Sequence, residues 1–234
     1  MGIRDASRVR PVRLYGWLCA AAVMVLAASG CSSSDGPPGQ ITVAEVAAAQ
    51  AGLAPGAPCP FKVDMAAAAR KAGIDARVEP GDPASAGELV PAQAGGVPTF
   101  STPPPVPPPS LPARKAYPSI DCTFRVGARA VKLTVVATED ASARNLLLPA
   151  IVAAGRISLS SEPFLEWARK TPAPGDVVMP PGGNTVAFVR IPVDGGGDVG
   201  MVVQADTVAS PTPPDLTGRT LRTITEELRD GMRV

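Results

Sequence analysis

Residues 119–136 read SIDCTFRVGARAVKLTVV, and this stretch decides the fold. Ile120, Cys122, Phe124 and Val126 fall on one side of an extended chain, with Ser119, Asp121, Thr123 and Arg125 on the other. After Gly127-Ala128, Val131, Leu133 and Val135 alternate with Lys132 and Thr134. A period of two marks strands with one buried face, and a short break between two such runs marks an antiparallel hairpin. A second pair of strands is expected near 184–193 and 199–207, flanking Asp194-Gly195-Gly196-Gly197-Asp198. That glycine run is a turn signal, although a loop of this length exceeds the tightest hairpin turns.

Helices are expected around these hairpins. Thr42-Val43-Ala44-Glu45 has the form of a capping box before an alanine-rich run that ends at Gly52. Asp64 is placed to cap MAAAARKA, which stops at Gly73. Residues 141–154 read as helical with a break near Pro149, since proline removes a hydrogen bond inside a helix. A short helix is expected over Pro163–Lys170 with Ser161 near its start. At the C-terminus Asp215 is the expected cap of a helix whose apolar stripe is Leu221, Ile224 and Leu228, with Arg222, Glu226 and Arg229 outward. Hairpins imply an antiparallel sheet, and amphipathic helices must cover it. The expectation is an α+β domain: an antiparallel sheet of about four strands in two hairpins, covered by helices in two layers.

The chain has 28 prolines and 23 glycines among its 234 residues, which points to long stretches without regular structure. Residues 80–116 are the clearest of these. They include PPPVPPP at 103–109 and show no hydrophobic periodicity, so a disordered Pro-rich linker is expected there. Such a segment is usually a spacer; docking to an aromatic groove is the other reading. The expected organisation is a signal peptide at 1–30, a polar tether at 31–40, an N-terminal helical part at 41–79, the linker at 80–116, and the main α+β part of the same domain at 117–234.

The first thirteen residues carry Arg4, Arg8, Arg10 and Arg13 against Asp5 alone, and residues 14–30 carry no charge. A basic stretch, an apolar run and small residues form the pattern of a secretory signal peptide. The run closes with Ala28-Ser29-Gly30-Cys31, which resembles the lipobox of bacterial lipoproteins, although that family prefers Leu where this chain has Ala28. The resemblance implies cleavage before Cys31, acylation of its thiol, and attachment to the extracytoplasmic face of the bacterial cell membrane. The alternative is an uncleaved span, for which seventeen uncharged residues are at the short limit. From Cys31 to Ile41 the tether reaches about 35 Å at most, so the folded part is expected close to the membrane.

Of the remaining cysteines, Cys19 lies within the signal, leaving Cys59 and Cys122 as an even pair in an exported domain. Such a pair is expected to form a disulfide; two buried free thiols are the alternative. The bond would hold the ends of the Pro-rich segment near one another. The lipobox, the Ser-rich tether, Pro58-Cys59 opening a helix, Cys122 on a strand and a final amphipathic helix together are similar in layout to small actinobacterial surface lipoproteins of uncharacterised function. That resemblance implies a disulfide and a compact α+β domain, and it carries over no activity.

The composition excludes several classes of chemistry. There is no histidine, so His-based triads and His-metal sites are absent. Lys+Arg number 22 and Asp+Glu 21; removal of residues 1–30 takes four and one of these, leaving 18 and 20. A net charge of −2 gives no footprint for nucleic acid. No cofactor-binding motif is present. Carboxylate pairs occur at Glu139-Asp140, at Glu162 with Glu166, and at Glu226-Glu227. Solvated surfaces explain them more simply than a hydrolase with split carboxylate pKa values does. Arg190 stands on the face of Val186 and Phe188 and reads as an edge charge, or else as a pocket residue. Trp167 and Phe164 share one stripe of a short helix. They read first as core and second as candidate binding residues. The expected function is that of a non-catalytic lipoprotein, anchored to the membrane by lipid, that binds a partner protein or cell-envelope component. A carrier of a small apolar ligand or lipid is the alternative, and a carboxylate-based hydrolase a further one.

Overall fold

A computed structural model describes residues 41–89, 115–206 and 214–234. The expected signal peptide, the tether with Cys31 and most of the Pro-rich segment lie outside the described residues. In chain order the elements are α1 (Val43–Ala51), α2 (Met65–Lys71), β1 (Val78–Pro80), β2 (Ser85–Leu89), β3 (Tyr117–Val126), β4 (Arg129–Thr138), α3 (Ala143–Gly155), α4 (Glu162–Arg169), β5 (Val177–Val178), β6 (Val186–Ile191), β7 (Asp198–Ala205) and α5 (Gly218–Gly231).

The hairpin read from residues 119–136 is present as β3 and β4, paired from Ser119↔Val136 to Val126↔Arg129. Gly127 takes φ 60° at the first turn position, a conformation open to glycine and one that suits a two-residue turn of type II′. The second hairpin is β6 and β7, and its β7 joins β4 in register from Val131↔Ala205 to Thr138↔Asp198. The sheet therefore runs β1-β3-β4-β7-β6-β5, with β2 also on β3, and every pairing is antiparallel. It has seven strands rather than four. The three additional strands are short, and β2 falls within residues 80–116, where the sequence suggested linker. Residues 85–89 have no alternating pattern, and Ser85, Ala86 and Gly87 are all exposed, so this part of β2 presents no buried face.

The sheet alternates strictly, and both of its faces are used. One face carries Ile120, Cys122, Leu133, Val135, Met201 and Val203 into a core shared with α1, α2 and α5. The opposite face carries Tyr117, Val136, Val186, Phe188 and Val202 against Leu146, Leu147 and Ile151 of α3. The result is three layers, not two: α3 crosses to the second face, which sequence periodicity does not encode.

Local chemistry accounts for the helices. Thr42 and Glu45 form the reciprocal capping box on α1, and Asp64 accepts the Ala67 N–H at 2.7 Å to cap α2. The break expected at Pro149 does not occur. Pro149 and Asn145, whose carbonyl loses its partner, both face solvent, while the buried stripe lies on the other side. An interior proline costs about 3 kcal/mol. Burying Leu146, Leu147 and Ile151 at about 2 kcal/mol each outweighs that. Asp215 is not the cap of α5; Thr217 holds that position, and Asp215 accepts a hydrogen bond from its hydroxyl. Arg222 and Arg229 do not simply point to water. Arg222 donates to the Val177 carbonyl at 3.0 Å and Arg229 to the Gly175 carbonyl, covering the β5 edge of the sheet.

Candidate functional site

Helix α4 carries the two aromatic residues singled out in the sequence. Phe164 and Trp167 are one turn apart, and their rings stack with centroids 5.5 Å apart. Phe164 is buried and Trp167 half-buried, the latter packing against the second-face cluster. Of the candidate binding pair, then, only Trp167 meets solvent. Leu165, two residues earlier on α4, is 40% exposed, and Leu159 in the α3–α4 connection is 64% exposed. Among the described residues these are the exposed large apolar side chains.

The site has a third member, Arg144, which the sequence did not signal. It sits in the first turn of α3 and is almost wholly buried. Its guanidinium donates to the Trp167 carbonyl at 2.6 Å, to Ala168 at 2.9 Å and to Lys170 at 2.5 Å. The same group lies 4.1 Å over the Trp167 ring. The last carbonyls of a helix lack intrahelical partners and form its negative end, so one planar cation satisfies three acceptors and complements the dipole. The ring face adds a cation–π attraction. Burial pushes the Arg144 pKa down from its ordinary value. Carbonyl acceptors leave no mark in a sequence, which is why the residue could not be foreseen.

Cys59 and Cys122 form a disulfide, with Cα atoms 5.3 Å apart. Cys122 is buried on the first face of the sheet. A solvent-open groove of about 370 Å³ runs beside it, lined by Pro58, Phe61, Pro83 and Phe124 among others. A second groove of about 490 Å³ lies where Gly127 meets Ile74, Asp75, Asp215 and Thr220.

Several of the charged residues resolve into pairs. Arg190 is not an edge charge, because β6 has β5 on one side and β7 on the other. Its Nε donates to Asp198 Oδ1 at 2.6 Å, and Asp198 Oδ2 accepts the Ala143 N–H at 2.9 Å, so the pair caps α3. Each acid pair noted in the sequence has one or both members beside a lysine. Lys115 lies 3.3 Å from Glu139 and 3.0 Å from Asp140, Lys170 lies 2.9 Å from Glu166, and Lys71 lies 3.9 Å from Glu227. Lys115, and then the Tyr117 hydroxyl, hold the Asp140 carboxyl below its usual range, and Lys170 does the same for Glu166. A carboxyl held low is ionised at neutral pH and has no proton to donate as a general acid. Among the described residues no three His, Cys, Asp or Glu side chains are grouped to hold a metal ion, and no helix is long and apolar enough to cross a membrane.

No protein-family model, curated protein or solved structure matches the chain.

Proposed function

We propose that the chain is a bacterial surface lipoprotein, exported, cleaved before Cys31 and anchored by lipid on that residue to the extracytoplasmic face of the cell membrane. Its α+β domain binds a partner protein or a cell-envelope component and does so without catalysis or a cofactor. The observation that carries this reading is the Cys59–Cys122 disulfide, which joins the two cysteines left free after lipidation. Disulfides persist in oxidising compartments, so the bond agrees with the address at the N-terminus. The binding role rests on α4, which offers apolar surface on two sides, at Leu165 and at the open side of Trp167. The core between sheet and helices is filled by buried side chains, which favours surface binding over an enclosed ligand.

A photo-crosslinking residue at position 165 in living cells tests the binding role. One discrete adduct containing a cell-envelope component is expected at 165 and not at exposed Asn145. Equal, diffuse labelling at both positions would overturn it.

A further inference from the structure

We infer that α4 is a flap that opens independently of the rest of the domain and is latched shut by Arg144. Among the described residues, every hydrogen bond from α4 to another helix or strand is made by that one side chain. Its only fully buried residue is Phe164, whereas α5 buries Leu221, Ile224, Thr225 and Leu228, and α3 buries five residues. The Glu166–Lys170 ion pair lies within the α4 region itself and ties it to no other element.

The boundaries of the flap are fixed on both sides. The Ile157 N–H bonds to Val152 O at 3.1 Å, just after Arg156 turns the chain at φ 51°. At the far side the Gly175 N–H bonds to Arg190 O at 2.7 Å. Residues 158–174 therefore form the moving unit. Low-stability units are those with little buried apolar surface and few hydrogen bonds to their neighbours, and α4 meets both conditions. Closed, the flap hides Phe164 and one face of Trp167. Open, it exposes Phe164 together with the side of Trp167 that packs against the second-face cluster. The device converts a mostly core-facing aromatic pair into an accessible apolar surface, and its latch is a cation held by three carbonyls and a ring.

Amide hydrogen exchange on the purified full chain tests this, with α5 as the internal reference. The amides of residues 165–169 are expected to exchange at least tenfold faster than those in the middle of α5. Arg144→Lys keeps the charge but loses the planar fork, so it is expected to speed α4 exchange a further tenfold and leave α5 unchanged. If that variant does not fold, Trp167→Leu, which removes the ring from under the guanidinium, is read in the same way. Exchange of α4 in step with α5 in the wild type, or an equal acceleration of both helices in the variant, would overturn the inference.

Discussion

Leu89 pairs with Tyr117 across the antiparallel β2–β3 ladder. Residues 90–116 are therefore the connection of a hairpin, closed by strand pairing as well as by the Cys59–Cys122 bond. Once the ends are held, loop length enters stability only logarithmically. Replacing residues 92–112 with a short Gly-Ser bridge is expected to shift the unfolding free energy by roughly 0.6 kcal/mol per halving of length, towards greater stability. Denaturant unfolding measures this. A loss of more than about 2 kcal/mol, the size of a core mutation, would mean the segment packs on the domain. A deletion that reaches back into residues 85–89 is expected to cost more, because it removes β2.

The disulfide links the segment before α2 to the buried face of β3 across a sequence separation of 63. Cys59→Ala with Cys122→Ala is expected to lower stability by roughly 2–5 kcal/mol, the usual range for exported domains. Reduction of the wild type should reproduce most of that loss. An unchanged urea midpoint in both cases would contradict the pairing.

Asp140 sets a dependence on pH. Its pKa is lowered in the folded protein, first by Lys115 and then by Tyr117. A group with a depressed folded pKa contributes stability that is present above its unfolded value, about 3.9, and lost as pH falls through the lower folded value. The wild type is therefore expected to lose stability more steeply than Asp140→Asn does as pH falls below about 4. Parallel curves of urea midpoint against pH would show that the cluster contributes nothing.

Gly200 lies where α3 approaches the sheet closely. A Cβ there would lie 3.0 Å from each of Ala143 Cβ, Leu147 Cδ1 and Phe188 Cε2. Two of these neighbours come from α3 and one from β6, so relief by a single rotamer change is not open. Gly200→Ala is expected to destabilise by about 1–3 kcal/mol through overpacking. Thermal unfolding checks it, and an unchanged midpoint would mean the second layer is looser than drawn.

The sequence made some of this structure legible and hid the rest for identifiable reasons. Strands β3 and β4 announce themselves because Ile120, Cys122, Leu133 and Val135 alternate with polar residues. The α5 stripe is equally plain, with Leu221, Ile224 and Leu228 all buried. Strands β1 and β2 were hidden by Pro80, Gly81, Pro83 and Gly87, which read as linker although Val78–Pro80 and Ser85–Leu89 pair with β3. The third layer was hidden because the stripe of α3 states that it packs on something without stating on which face. At the candidate site Phe164 and Trp167 were visible as a stripe, whereas Arg144 was not, since its acceptors are backbone carbonyls.

The anchoring proposal turns on Cys31, and mass analysis of the N-terminal peptide of the protein isolated from cell membranes tests it most directly. The expected peptide begins at Cys31 and carries a lipid on sulfur that Cys31→Ser abolishes. A peptide beginning at Met1, or one beginning after residue 30 with a free Cys31 thiol, would contradict it.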